Sequence, residues 1–295
     1  MRSTLLSNVF TLMMMTAAVS SCEKMTLSES VESENGEKGN VVLRVTQFEQ
    51  TPFDAQTRAD VGSVCSRLCF HIYGEDGIRV NYVNQKQEDA NFGTASFSLS
   101  EGRYILVIVG HSASSNPSFS ANEKVSISGS NLGDTFWCCE EFEVGEDEIE
   151  LNLRLKRIVS LLRFIPTDDK PANLNQVIFS YKGSKGSFNG LTGYGSTNTS
   201  QTVKLDVDPD DDQYEFYMIP SSDEDQLDIK MSTYYIESDG KIHSLTEKDI
   251  SQVPVKRNCI TICRGSLFDG TSSSQSVFIT ISVDTDWDEN INVTF

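Results

Sequence analysis

After Asn40 the apolar residues of this chain tend to recur at every second position, and almost no stretch holds them at helical spacing over three turns. A chain patterned this way buries its apolar side chains as strands, so the expected fold class is all-β. Val41-Val42-Leu43-Arg44-Val45 opens the series, and Leu68-Cys69-Phe70-His71-Ile72-Tyr73 follows with period two. Glu75-Asp76-Gly77 supplies a hairpin turn into Ile78-Arg79-Val80. Ala95, Phe97 and Leu99 alternate with Ser and Thr, the mark of one buried and one wet face, before Glu101-Gly102 turns the chain. Tyr104-Ile105-Leu106-Val107-Ile108-Val109 is apolar without a break, too short for an ordinary helix and rich in β-branched residues. It predicts a central strand buried on both faces.

The chain has 295 residues, more than one core comfortably organises, which predicts two domains of roughly 120 to 140 residues each. Ile149-Glu150-Leu151-Asn152-Leu153-Arg154-Leu155 alternates cleanly, and Ile158-Val159-Ser160-Leu161-Leu162-Arg163-Phe164-Ile165 follows with only Lys156-Arg157 between. The boundary is placed there, giving one β-sandwich over residues 41–156 and a second over 157–295. A strand that passes without a linker into the next sandwich would hold the two at a fairly fixed angle. The second domain continues through Val177-Ile178-Phe179-Ser180-Tyr181, a glycine-rich excursion over 183–195, and strands at 214–219, 227–236 and 260–268. A Ser/Gly stretch over 269–276 makes the last strand, 277–283, separable.

The N-terminus reads as an export signal over residues 1–21: Arg2 supplies the charge, residues 9–19 the apolar stretch, and Val19-Ser20-Ser21-Cys22 a lipoprotein cleavage site. Acyl chains (palmitate) on Cys22 would then hold the mature chain at a membrane, at roughly 0.8 kcal/mol per buried methylene. The plainer alternative is a secretory signal cut elsewhere, with Cys22 incidental. Residues 22–40, with Glu29, Glu32, Glu34 and Glu37 among Ser, Asn and Gly, read as a disordered acidic tether. The formal net charge is −19, and loss of Arg2 with the signal makes it one unit more negative. Such a surface gains nothing from counterion release on a phosphate backbone, which argues against nucleic acid as a partner.

Six further cysteines lie at Cys65, Cys69, Cys138, Cys139, Cys259 and Cys263. Cys259 and Cys263, if in one strand, stand about 13 Å apart, beyond the roughly 7 Å limit for bridged Cα atoms. Small buried thiols and bridges between distant segments both stay open. Gly110-His111-Ser112-Ala113-Ser114 after an apolar strand resembles a nucleophile elbow with its last glycine replaced, but the following Ser115-Asn116-Pro117-Ser118 reads as loop where an elbow needs a helix. Asp208-Pro209-Asp210-Asp211-Asp212 and Asp223-Glu224-Asp225 lack the spacing of a calcium loop and read as solvated turns. Gly190-Leu191-Thr192-Gly193-Tyr194-Gly195 lacks a phosphate-binding lysine and reads as a mobile loop. Trp137 and Trp287 are candidates for stacking on sugars, or else core and edge residues. No catalytic residue, metal site, cofactor or small-molecule substrate is expected.

Several of these motifs fall in an order that resembles the Bacteroidetes fimbrillin superfamily, and within it the FimB-type anchoring subunits of fimbriae. The resemblance rests on Cys22, on Val41-Val42-Leu43-Arg44-Val45 followed by Thr57-Arg58, on Glu101-Gly102-Arg103-Tyr104 and on Leu155-Lys156-Arg157-Ile158-Val159. Val255-Lys256-Arg257-Asn258-Cys259-Ile260-Thr261 before Gly265-Ser266-Leu267-Phe268 completes it. It implies two tandem transthyretin-like β-sandwiches, a lipid anchor in the outer membrane, other fimbrial subunits as partners, and assembly by strand exchange. It also implies a choice at Arg58: shaft subunits lose the lipidated N-terminal strand to an arginine-directed protease, whereas anchors keep it. The expected reading is therefore a non-catalytic anchoring or assembly subunit, with a polymerising shaft or tip subunit processed after Arg58 and a surface glycan-binding lipoprotein as alternatives. The cysteine content departs from the family pattern.

Overall fold

The computed structural model describes residues 39–49, 61–127, 132–269, 280–284 and 293–294, the last two segments as backbone alone. Cys22, Arg58 and Trp287 lie outside the described residues. No helix among the described residues is long and apolar enough to cross a membrane. In chain order the first elements are β1 (Val41–Phe48), a single helical turn (Val61–Val64), β2 (Arg67–Gly74), β3 (Arg79–Lys86), β4 (Thr94–Phe97) and β5 (Gly102–His111). Short strands β6 (Ser118–Ala121) and β7 (Lys124–Ser126) precede the long β8 (Thr135–Val144) and β9 (Ile149–Arg157). The chain continues through β10 (Ser160–Pro166), β11 (Gln176–Gly183), β12 (Ser187–Phe188), β13 (Thr199–Asp206) and β14 (Tyr214–Met218). It ends with β15 (Asp225–Ile236), β16 (Ile242–Val255), β17 (Ile260–Gly265), β18 (Thr280–Asp284) and β19 (Val293–Thr294).

The fold is all-β and built from several sheets, as the period-two pattern predicts. One continuous sheet runs β3-β2-β5-β8-β9-β1-β4, but β8 and β9 touch only through Phe136–Arg157 and Trp137–Lys156. It therefore bends into two layers, β3-β2-β5-β8 and β9-β1-β4. Leu68, Phe70, Leu106, Ile108 and Phe136 of one layer pack with Val41, Leu43, Phe97 and Leu155 of the other. The later strands repeat this circuit: β13-β11-β15-β16 forms one layer and β14-β10-β17 the other, with β18 and β19 added beyond β17. Within each layer the pairings correspond, down to the parallel pair of first and last strands, β1 with β9 and β10 with β17, while among the described residues the short β8–β9 contact has no counterpart between β16 and β17. The second core is aromatic, with Phe164 stacked on Phe179 at 4.4 Å and Tyr181 on Phe216 at 5.7 Å. Such pairs contribute about 0.5–1.5 kcal/mol each beyond their burial.

A third cluster lies between the two sandwiches. Val107 and Val109 on the outer face of β5 pack with Trp137, with Ile158 and Val159 of the connecting segment, and with Phe188 and Ile219 of the second half. β12 also pairs with β7, and β7 with β6, so a small antiparallel sheet is shared by both halves. This is why β5 is apolar on both faces: one face fills its own sandwich and the other fills the joint.

His71 sits on the same outer surface, buried, with its ring stacked on Phe119 at 3.5 Å and on Tyr82 at 5.3 Å. Among the described residues neither ring nitrogen has a partner in hydrogen-bond geometry. Burial pushes its pKa down to about 3, the Arg79 charge adds to that shift, and the Asn84 amide opposes it. A histidine lowered in the folded state binds its proton more readily when unfolded. Stability should therefore be lost as pH falls from about 6.5 toward 3, by up to about 1.4 kcal/mol per pH unit. His71→Phe is expected to flatten that limb in denaturant melts taken between pH 7 and pH 4. An unchanged slope would show that His71 is not the group that titrates. His111, pushed to about 4 by burial, retains its share of the slope in either case.

Candidate functional site

The segment that joins the sequence signals to the fold is β1. Its alternation places Val41, Leu43 and Val45 in the first core, and a bulge between Val45 and Gln47 shifts the phase so that Phe48 also turns inward. Phe48 meets Phe136 edge to face at 5.0 Å. β1 pairs parallel with β9 along its length, and its first half pairs antiparallel with β4, from Val41↔Phe97 to Arg44↔Thr94. The entry to the strand is fixed by Asn40, whose amide donates to Leu99 O at 2.8 Å while its Oδ1 accepts from Leu99 N at 2.9 Å. Gly39 is required there because a Cβ would stand 2.4 Å from Phe97 O. Four buried side chains at about 1.5–3 kcal/mol each make β1 worth roughly 6–12 kcal/mol as an upper estimate. That is comparable with the whole stability of an ordinary domain, about 5–15 kcal/mol.

The two halves are locked where β9 ends. Arg157 is buried; its Nε and Nη2 donate to the Asp134 carboxylate at 2.7 and 2.8 Å, and its Nη1 donates to Asn258 Oδ1 at 2.8 Å. The guanidinium also lies 5.0 Å from the centre of the Phe136 ring. Asn258 holds a left-handed conformation, φ 58°, and its N–H donates to Val159 O at 2.9 Å. A second lock holds the glycine-rich loop, which the sequence suggests is mobile. Trp137 Nε1 donates to Gly190 O at 2.7 Å, and Arg257 stacks on the Tyr194 ring at 3.7 Å while donating to Tyr194 Oη at 2.6 Å. Tyr194 Oη in turn donates to Asp223 at 2.6 Å. The loop is pinned by partners 29 to 63 residues away, which its local composition does not show.

Trp137 is buried under the glycine loop and presents no face to a sugar. Ser112 Oγ accepts from Ser66 N at 3.3 Å, and His111 Nδ1 accepts from Ala113 N at 3.1 Å, so the two do not form a nucleophile and base. The acidic turn over 208–212 closes on a lysine: Lys170 Nζ donates to the carbonyls of Asp208, Pro209 and Asp211 at 3.0, 2.5 and 2.8 Å. An ammonium thus fills the place a cation would take. Among the described residues no group of three or more His, Cys, Asp or Glu is placed to hold a metal ion. The six cysteines there are thiols, and burial pushes Cys65, Cys69, Cys138 and Cys263 up to about 12, which makes them inert at neutral pH.

Sequence reasoning passed over one groove of about 1190 Å³ on the second sandwich, across β11, β13 and β15. Ser180, Lys182, Asn198, Thr202, Asp228 and Lys230 line it with hydroxyl, amide and charged groups. Their signal was present only as the polar half of each strand's alternation. What the chain offers chemically is main-chain pairing and polar surface, with no assembled catalytic group among the described residues.

Comparison with known proteins places this architecture. The profile of a family described as a family of unknown function, DUF6562, matches residues 33–295. No curated protein matches the chain. Among solved structures, a candidate polysaccharide-binding protein from Bacteroides thetaiotaomicron aligns with a TM-score of 0.52 at 10% identity, covering 83% of this chain and 95% of its own. A candidate adhesin from the same species gives 0.51 at 12% identity, covering 85% and 96%. A candidate adhesin from Bacteroides ovatus gives 0.50 at 14%, covering 71% and 81%. At such identities the likeness is one of fold.

Proposed function

Since the chain belongs to the DUF6562 family, whose function is unknown, we propose that it is a non-catalytic, lipid-anchored subunit of an adhesive fibre at the bacterial outer membrane, of the anchoring kind found among fimbrillins. Its two sandwiches are read as transthyretin-like, acyl chains on Cys22 hold it at the outer membrane, and its partners are other fibre subunits. The observation that carries this reading is the place of β1. The strand that would bear the lipid, through the tether over 22–40, supplies four side chains of the first core and the parallel neighbour of β9. An anchor whose lipid is continuous with its own core cannot shed one without opening the other. Shared fold with structures described as adhesins supports the adhesive role.

Mass spectrometry of the mature N-terminus from outer membranes tests the proposal. A chain beginning at acylated Cys22 is expected. A chain beginning at Ala59 would mean cleavage after Arg58 and loss of β1, which assigns the protein to a polymerising shaft or tip instead. A glycan-binding role is the second reading, favoured by the polar groove on β11, β13 and β15. With Trp137 covered, that groove and not the tryptophan would have to receive the sugar.

A further inference from the structure

We propose that the outer edge of β9 is a self-association surface, on which a second copy of this chain lays its own β9 antiparallel, centred on Asn152. Among the described residues β9 is paired along its length with β1 on one side, but on the other side only Lys156 and Arg157 meet a strand, β8. Ile149 N donates to Asn40 O and Leu155 O accepts from Glu49 N, so the odd-numbered residues turn their main-chain groups toward β1. Successive residues of a strand face opposite ways, which directs the N–H and C=O of Glu150, Asn152 and Arg154 to the outer side. The Glu150 and Asn152 side chains are exposed.

The internal repeat says what such an edge accepts. β17 holds in the second sandwich the place that β9 holds in the first, and there the same outer edge carries β18, antiparallel from Ile260↔Asp284 to Arg264↔Thr280. The fold therefore accommodates a strand at this position, and the first sandwich has none among its described residues. The edge also carries little that would repel one. β9 contains no proline or glycine, whereas the edge strand β16 is blunted by Pro254 and by a bulge with Gln252 at φ 57°.

The occupant follows from the sequence of β9 itself. Ile149-Glu150-Leu151-Asn152-Leu153-Arg154-Leu155 reads nearly the same in both directions, with opposite charges at mirrored positions. Two copies paired about Asn152 set Glu150 of each against Arg154 of the other on the wet face, and Leu151 against Leu153 and Ile149 against Leu155 on the core face. Asn152 meets Asn152. The even-numbered residues form narrow pairs, about six main-chain hydrogen bonds in all, and the half-buried Ile149 and Leu151 become covered. The result is one sheet continuous through both molecules, β4-β1-β9 joined to its twofold mate.

The register makes the test position-specific, with the full chain expressed in cells and outer membranes run on non-reducing gels. In the paired edge, Asn152→Cys brings two sulfurs onto Cα atoms about 5.5 Å apart, inside the roughly 7 Å limit for a disulfide. Glu150→Cys leaves its two copies about 14 Å apart. A disulfide-linked dimer is expected for Asn152→Cys and none for Glu150→Cys, measured over the background of the unsubstituted chain. Glu150→Arg or Arg154→Glu alone should weaken self-association of the purified full chain about tenfold, since each creates two like-charged pairs, and the combined exchange should restore it. Glu150 also meets Arg44 of its own chain at 2.8 Å, a half-exposed surface pair of small worth. Cross-linking at both positions or at neither, a linked product whose mass is not twice the chain, or no restoration in the combined exchange would overturn the proposal.

Discussion

Excising β1 from the folded protein is expected to cost most or all of the stability of the first sandwich. If a protease site is placed within residues 50–60 and the released segment is washed away in mild denaturant, the chain loses Val41, Leu43, Val45 and Phe48 from its core at once. The roughly 6–12 kcal/mol assigned to those side chains is of the order of the total. Hydrogen exchange should show the amides of β9 and β4 exchanging freely, while those of β15, in the second aromatic core, stay protected. A synthetic peptide of residues 39–49 should restore protection, because it can return to the parallel register with β9. If the excised protein kept native exchange rates in β9 and β4, β1 would be dispensable, and its proposed role in anchoring would fall with it.

The second large effect is expected at Arg157. Replacing it with methionine removes both hydrogen bonds to Asp134 and the one to Asn258, and leaves a carboxylate that is 24% exposed and a buried amide without that partner. Breaking one partner of a buried pair costs about 3–5 kcal/mol, read here as a shift of the urea midpoint. Arg157→Lys keeps the charge but not the planar fork, so it should recover only part. The Arg157→Met, Asp134→Leu double variant should be more stable than Arg157→Met alone, because no carboxylate is then left without its partner. A loss under about 1 kcal/mol for Arg157→Met would show that the joint is held by the apolar cluster around Trp137 and Val159 and owes little to the ion pair.

How much of this was legible in the sequence depended on whether a residue's role was local. β5 and β11 were plain, since a strand buried on both faces or alternating without interruption carries its own signature. β13 and β16 were not read as strands. Each lies at the edge of its layer, with one face and one side in water, so few apolar residues are needed, and the bulges in β16 break its period. Arg157 gave a signal that went unread: Leu151, Leu153 and Leu155 fix the inward phase, and Arg157 continues it. A charge at an inward position implies a buried partner, but which one is a matter of tertiary contact, here 23 and 101 residues away. The same holds for the glycine loop, whose composition suggests freedom while Gly193, at φ 74°, is packed against the Trp137 ring. The acidic turn over 208–212 was read correctly as a turn, but its lysine cap was invisible for the same reason.

The parallel pairing of β1 and β9 has a mechanical meaning. Tension applied to the chain at Asn40 pulls β1 backward along its own axis, while the rest of the molecule holds β9 from its far end, where Arg157 hands the chain to β10. The two strands are then drawn past each other lengthwise. Every hydrogen bond between Val41↔Ile149 and Phe48↔Leu155 is strained together, so the pair yields in shear and cannot be peeled open one bond at a time. An antiparallel neighbour gripped at the same end of the pair would part like a zipper under far smaller force. The order of two strands thus decides whether a pull on the N-terminus is met by one bond or by the whole ladder.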